Sequence, residues 1–152
     1  MTCRLLIIVS TLVATASSCS GAYLDSATGE LLPNSGGAVN LWWTSSGWKV
    51  GVDAPVPKQR GRAVTIRCAR NEAEAAQLIV RPSKPLKKVS LMAGDLAGPD
   101  NTTIGAECVD ILEVRYVNVT TPTDRTSVTG LWPDPLPPLQ SPMDLQANRN
   151  QA

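Results

Sequence analysis

Short apolar segments broken by proline and glycine run along this chain and leave no room for a fold built from long helices. In the clearest of them, residues 63–69, Val64, Ile66 and Cys68 fall on one face and polar side chains on the other. This two-residue period is the pattern of a half-buried strand. No segment has a convincing amphipathic helical pattern. The sequence therefore predicts an all-β protein.

Five further segments have strand-like patterns, and turn signals such as Gly94-Asp95 lie between them. The predicted strands are residues 39–43, 48–50, 63–69, 77–81, 88–93 and 107–119. The last of these is read either as two strands or as one strand with a bulge. Residues 71–76 could form one helical turn. A series of short strands in this order predicts a β-sandwich of the immunoglobulin or jelly-roll-like type.

The first 22 residues have the pattern of an export signal. Arg4 is followed by the apolar run 5–13 and then by Ala14-Thr15-Ala16, which is an A-x-A cleavage pattern. Cleavage is expected after Ala16, with Ala22 as the second choice, and a buried N-terminal strand is the alternative. The apolar run is shorter than the roughly 20 residues that a spanning helix needs. We therefore expect a protein that is secreted or located in the cell envelope.

The cysteines have roles that depend on export. Cys19 is a candidate for lipidation because small residues precede it, although Ala16 stands where lipoprotein signals usually have Leu. A lipid would tether the protein to a membrane without making it span one. Cys68 and Cys108 lie in strand-like stretches, and an oxidising compartment would allow them to form a disulfide. The alternative is two separate buried thiols.

Charge and residue types exclude several functions. Fourteen basic and thirteen acidic residues give a net charge of +1, which does not indicate nucleic acid or an anionic membrane surface as the main partner. The chain has no His, so Ser-His-Asp and Cys-His sites cannot form within it. The four Cys show no C-x-x-C spacing. We therefore assign no catalytic residue, no metal ligand and no cofactor.

Two stretches outside the predicted strands have a different character. Residues 23–38 are rich in Gly, Ser, Ala and Asn, which is typical of a flexible lead-in. Five of the twelve prolines fall between Pro133 and Pro142. Because proline cannot donate to a β-ladder, residues 123–152 are predicted to be an extended segment after a β domain over residues 39–122. We expect residues 130–152 to be poorly ordered.

Four stretches resemble, in the same order, a known family. They are Leu41–Val50 with its Trp42-Trp43 pair, Ala69–Pro82 with Asn71-Glu72-Ala73-Glu74, Thr123–Leu139 with its proline run, and Ala147–Gln151. Together they are similar to the N-terminal β-sandwich domain of secreted proteins that have a glycoside hydrolase family 123-like catalytic domain. The proline run is the most specific part of this resemblance.

The resemblance implies a non-catalytic domain whose partner is a C-terminal barrel. In that family the matching segment is half of a β-sandwich, and further strands and a TIM-type barrel follow it. The barrel carries an adjacent Asp-Glu pair, and the acetamido group of the substrate attacks the anomeric carbon. None of those catalytic positions has a counterpart in this chain. The resemblance therefore implies an incomplete sandwich that ends before the barrel.

The four tryptophans are the candidate ligand-binding residues. Trp42, Trp43, Trp48 and Trp132 could stack on sugar rings, or they could fill the core and the interface with the barrel. Three functions therefore stay open. They are an accessory domain of a carbohydrate-active enzyme, a free-standing carbohydrate-binding module, and a lipid-anchored envelope protein with no role in sugar binding.

Two polar groups have structural interpretations. Asn71 and Glu72 are expected to form a turn that is hydrogen-bonded to its own backbone rather than an acid site. Asp124, Arg125 and Asp134 are expected to form an inter-domain salt bridge or a cap.

Overall fold

The computed structural model describes residues 24–124 and 128–152. The predicted signal peptide, residues 1–22, and the lipidation candidate Cys19 lie outside the described residues. The strands are β1 (Glu30–Leu31), β2 (Val39–Ser45), β3 (Ala76–Pro82), β4 (Leu86–Val89), β5 (Leu96–Ala97), β6 (Thr103–Ile104), β7 (Tyr116–Val119), β8 (Gly130–Pro133) and β9 (Met143–Leu145). Two single 3₁₀ turns, Pro99–Asn101 and Ala106–Cys108, are the helical elements of the described part. The all-β prediction is confirmed.

The main sheet is antiparallel, with strand order β1-β2-β3, and it carries the core. Trp42 of β2 lies between Leu31 of β1 and Ile79 of β3. Directly opposed residues share a face, so these three apolar side chains project to the same side. Trp42 and Ile79 are buried there together with Val50 and Ala54. The central residues of the sheet therefore stabilise it in two ways, because their backbones pair and their side chains are buried in the core.

Both edges of the main sheet continue into irregular backbone. At one edge Leu31 forms a parallel bridge with Arg60, and at the other Val80 forms an antiparallel bridge with Gln151. The Val80 N–H donates to the carbonyl oxygen of Gln151 at 2.8 Å, and the Gln151 N–H donates back at 3.1 Å. The end of the chain thus pairs with β3 and covers an edge that would otherwise be open.

Strands β4 and β9 pair around a bulge. Leu86 is opposite Leu145 and Val89 is opposite Met143, so two lysines, Lys87 and Lys88, oppose the single residue Asp144. Two residues against one define a β-bulge. The Asp144 carboxylate accepts hydrogen bonds from Lys87 Nζ at 2.7 Å and from the Lys88 N–H at 3.1 Å.

Strands β7 and β8 begin a ladder that continues into the proline-rich stretch. Arg115 donates its N–H to the carbonyl oxygen of Pro135 at 3.0 Å and accepts from the Asp134 N–H at 3.1 Å. Two residues again oppose one, which shifts the register by a bulge. Beyond it the Glu113 N–H donates to the Pro137 carbonyl oxygen at 2.9 Å. The prolines lack donors but serve here as acceptors.

Several features differ from the strand predictions. Of the predicted strand 88–93, only Lys88 and Val89 lie in a strand, β4. Residues 48–50 are not a strand, because the chain turns after Ser45, with the Trp48 N–H on the Ser45 carbonyl oxygen at 3.3 Å. Residues 63–69 contain no strand either, since no neighbouring segment pairs with them. The stretch 107–119 is divided between the second 3₁₀ turn, bridge-forming backbone and β7.

The finer prediction, an incomplete β-sandwich, is not confirmed by the sheets. In the described residues one three-stranded sheet is accompanied by three two-stranded ladders, β4-β9, β5-β6 and β7-β8. A sandwich needs two broad sheets stacked face to face.

Residues 130–152 were expected to be poorly ordered, and in the structure they form backbone pairings. The segment contributes β8 and β9 and contains the buried Asn150. The Asn148 N–H donates to the Pro82 carbonyl oxygen at 2.7 Å, and the Asn150 N–H donates to that of Val52 at 2.8 Å. The proline content does not prevent packing because the ladders need only acceptors at those positions.

Candidate functional site

The four candidate tryptophans do not form one binding surface. Trp42 is in the core, and Trp43 lies on the opposite face of β2, where its Nε1 is buried with no hydrogen-bond partner among the described residues. Trp132 donates from Nε1 to the Val128 carbonyl oxygen at 2.6 Å. Trp48 is the one candidate that lines an open groove in the described structure. The core interpretation therefore holds for Trp42, whereas ligand binding by Trp43, Trp48 and Trp132 stays a prediction.

The groove at Trp48 is more apolar than a second cleft of similar volume described below. Its volume is about 350 Å³. We call it the Trp48 groove, and its principal apolar residues are Trp48, Leu78, Leu91, Ile111, Leu112 and Leu136. Lys49, Asp110 and Asp134 add charges along its lining. An apolar floor with charged margins is the usual character of a surface that binds another molecule.

Side-chain hydrogen bonds fix the turn that presents Trp48. Gln77 Nε2 of β3 donates to the carbonyl oxygens of Ser45, at 3.0 Å, and Trp48, at 2.6 Å. Lys49 Nζ then donates to the Pro133 carbonyl oxygen at 3.1 Å and lies 3.4 Å from Asp134 Oδ1. The Lys49–Asp134 pair is exposed and contributes little to stability, but it connects two walls of the groove. Asp134 thus forms a salt bridge with a residue of this same chain, whereas an inter-domain salt bridge or a cap was expected.

Sequence reasoning identified Trp48 but not the other walls of the groove. Leu91, Ile111 and Leu112 looked like ordinary strand residues, and Leu136 lay within a proline run read as extended loop. An apolar side chain between prolines is a signal that could have indicated a contact surface, because such a segment has few other reasons to carry Leu.

A second, more polar cleft lies at Tyr116. It also measures about 350 Å³, and Glu113, Arg115, Tyr116, Asp144 and Arg149 line it with neighbouring backbone. The Tyr116 hydroxyl donates to the Val50 carbonyl oxygen at 3.0 Å. Glu113 and Arg115 form an ion pair at 3.2 Å.

The titration of two groups in this cleft is shifted. Burial raises the pKa of Tyr116 to about 12, while Arg149 opposes that shift and Asp53 adds to it. The hydrogen bond from Lys87 holds the pKa of Asp144 below its ordinary value, and the Lys88 N–H acts in the same direction. Both shifts follow from structural hydrogen bonds and burial. Neither places a proton-transfer group near neutral pH.

Asn150 connects this cleft to the core. Its side chain is 1 % exposed, and its Nδ2 donates to the carbonyl oxygens of Gly51 at 2.8 Å and Ala54 at 2.9 Å. Arg81 donates to the same Ala54 oxygen at 3.0 Å. Sequence reasoning included Asn150 in a family-like stretch but gave it no structural role.

The cysteine and turn predictions have separate outcomes. Cys68 and Cys108 are free and exposed, so the structure contains no disulfide between them, and they are not buried thiols either. The Glu72 carboxylate accepts from the Ala69 N–H at 2.6 Å, and the Glu72 N–H donates to the Ala69 carbonyl oxygen at 3.3 Å. Glu72 therefore closes a local turn, as expected.

Two further kinds of feature are absent from the described residues. No helix there is long and apolar enough to cross a membrane. Residues 24–124 and 128–152 also hold no group of three or more Cys, Asp or Glu arranged to bind a metal ion.

No protein-family model and no curated protein sequence matches the chain.

Proposed function

We propose that this chain is a non-catalytic β domain of an exported carbohydrate-active protein, and that its Trp48 groove packs against the catalytic domain. The observation that carries this proposal is the exposure of four large apolar side chains in that groove. Trp48 is 42 % exposed, Leu91 and Leu112 are each 44 % exposed, and Leu136 is 56 % exposed. A soluble protein rarely leaves such a concave apolar surface uncovered.

The balance of apolar residues in the chain supports an interface. In the described part of the chain, exposed large apolar side chains outnumber the buried apolar residues of the core. Each 100 Å² of apolar surface removed from water contributes roughly 2.5 kcal/mol. Covering the groove with another domain would therefore add to the stabilisation that this small core provides.

The proposed partner is a barrel of the glycoside hydrolase type. The resemblance of four stretches to a known N-terminal domain supports this identity, and the proline-rich stretch with Leu136 is its most specific part. Leu136 and Trp48, which belong to two different stretches of the resemblance, both line the groove. In this proposal the barrel supplies the catalytic carboxylates, and this chain positions and stabilises the barrel. The signal-like pattern of residues 1–22 supports export.

The DNA that follows the Ala152 codon tests the proposal. We expect a reading frame there, in any of the three phases, that encodes a barrel with an adjacent Asp-Glu pair. The same barrel encoded in an adjacent gene would agree with the proposal. Flanking DNA that encodes no carbohydrate-active domain would contradict it.

A carbohydrate-binding module is the second candidate. Trp48 is partly exposed beside Gln77 and Asp110, and sugar sites commonly combine an aromatic face with amide and carboxylate groups. Glycan-array binding by the chain would favour this function if Trp48→Ala abolished it and Leu91→Ala left it unchanged. Equal effects of the two substitutions would indicate an apolar interface instead.

A further inference from the structure

Positive charge is concentrated in one exposed segment. Residues 58–70 contain Lys58, Arg60, Arg62, Arg67 and Arg70 and no Asp or Glu, although the whole chain has a net charge of only +1. We call residues 58–70 the basic segment. All five cations are exposed, and none of them forms a salt bridge with a described residue.

The fold holds the start of the basic segment at the edge of the main sheet. The Leu31 N–H donates to the Gln59 carbonyl oxygen at 2.8 Å, and the Gly61 N–H donates to the Leu31 carbonyl oxygen at 2.9 Å. Arg60 is thereby the parallel partner of Leu31. Lys58 and Arg62 flank it at bends in the backbone.

The second half of the basic segment has open backbone groups. Residues 64–69 run without a turn or a bend. Among the described residues, the backbone N–H and C=O groups of residues 64–68 have no hydrogen-bond partner. Val64 is 41 % exposed, Ile66 is 48 % exposed, and Cys68 is also exposed. The segment thus offers a strand-like apolar row, a free ladder and unpaired positive charge at one place.

We propose that residues 63–69 bind an acidic, extended segment of a partner polypeptide by strand addition. Backbone groups of the partner would complete the ladder, its alternate apolar side chains would cover Val64 and Ile66, and a carboxylate on its other face would pair with Arg67. Strand addition gets its affinity from main-chain hydrogen bonds and its specificity from alternate side chains. This site is separate from the Trp48 groove and does not depend on the function proposed for it.

The combination of features favours a peptide over other polyanions. An anionic polysaccharide or a nucleic acid would neutralise the arginines but would leave the open ladder and the apolar row unused. The two-residue alternation in residues 63–69 is the pattern that a paired strand requires. A partner strand therefore satisfies all three features, whereas a flexible polyanion satisfies one.

Synthetic heptapeptides of alternating Glu and Val test the proposal against the whole chain by fluorescence anisotropy. We expect the Glu/Val peptide to bind and a Lys/Val peptide of the same length not to bind. Two further Glu/Val peptides carry backbone N-methyl groups, either on the Glu residues or on the Val residues, which blocks opposite edges of a strand. One of these two should lose binding. If neither loses binding, the ladder is not used and the proposal is wrong.

Matched charge reversals test the location. Arg67→Glu should weaken binding of the Glu/Val peptide by about three- to tenfold, because an attractive cross-strand pair becomes repulsive. Lys84→Glu changes the net charge equally at an exposed site outside the basic segment, and it should leave binding within about twofold. Thermal melts would verify that both variants fold. Equal losses in the two variants, or tighter binding of dextran sulfate than of the peptide, would overturn the proposal.

Discussion

Asn150 Nδ2 donates to the carbonyl oxygen of Gly51 at 2.8 Å, although 99 positions separate the two residues in the chain. The same Nδ2 group also reaches Ala54 at 2.9 Å. One buried amide therefore holds the loop after Val50 against the end of the chain. This contact holds the segment that follows the proline-rich stretch against the loop beside the core.

Asn150→Ala should lower the free energy of unfolding by about 1–3 kcal/mol, because it leaves two buried carbonyl oxygens without this donor. Urea unfolding monitored by circular dichroism measures the change. Asn118→Ala, at an exposed position of β7, is the control and should change the unfolding free energy by less than about 0.5 kcal/mol. If Asn150→Ala lowered the free energy of unfolding by no more than the control does, the buried Asn150 amide would not stabilise the fold.

Trp42 and Trp48 should respond differently to truncation. Trp42 is 1 % exposed at the centre of the main sheet, so Trp42→Ala should cost about 3–5 kcal/mol. Trp48→Ala should cost less than about 1.5 kcal/mol, since much of that side chain already contacts solvent. Chemical denaturation of the two variants gives both values. A larger cost at Trp48 would contradict the assignment of core and groove.

Tyr116 should make the fold sensitive to strongly alkaline pH. Its pKa is raised from 10.0 to about 12, mainly by burial. The folded state therefore holds the phenol proton more tightly than the unfolded state. This contribution is complete below pH 10 and is lost as the pH rises from about 10 to about 12.

The ultraviolet absorbance of tyrosinate at 295 nm, titrated in the wild type and in Tyr116→Phe, checks this prediction. The variant should lack the late-titrating phenol and should lose less stability between pH 10 and 12. A wild-type titration in which both tyrosines ionise near pH 10 would be inconsistent with a buried Tyr116.

Glycine substitutions at the two lysines of the bulge opposite Asp144 should have different effects on stability. Lys88 has a φ of 55°, in the left-handed region that favours glycine, whereas Lys87 is not among the residues with positive φ. Lys88→Gly should therefore leave stability unchanged or raise it by up to about 1 kcal/mol, and Lys87→Gly should lower it by about 0.5–1 kcal/mol. Thermal melts of both variants measure these changes in stability. The reverse order of stabilities would contradict the placement of the bulge.

Strands β2 and β3 could be predicted because their apolar residues provide both the local pattern and the pairing. Leu41 and Trp42 oppose Val80 and Ile79 across the sheet, so the two runs recognised in the sequence are each other's partners. β-propensity describes how well a residue fits a pleated surface, and it succeeds where that surface exists.

Residues 63–69 show the limit of that reasoning. Their alternation is clearer than that of β3, yet no described segment pairs with them. Pairing is a non-local property that a local period cannot supply. The same limit applies to the groove, since Trp48 and Leu136 come together through the Lys49 contacts with Pro133 and Asp134.

The hydrogen bonds of the proline-rich stretch were missed for a different reason. Its lack of N–H donors was read as a lack of pairing, but Pro135 and Pro137 accept hydrogen bonds from Arg115 and Glu113. A ladder position that needs only an acceptor tolerates proline. Asn150 was missed because its acceptors belong to a loop about a hundred residues earlier.

The central claim is that the Trp48 groove is covered by a catalytic domain. A photo-reactive amino acid at position 136, introduced into the chain in the cells from which the gene comes, tests this claim most directly. Mass spectrometry should identify cross-linked peptides from a glycoside-hydrolase-like barrel, and the same group at position 117, an exposed position in β7, serves as the control. The claim would be contradicted if position 136 gave no cross-link to another protein, or cross-links only to another copy of this chain.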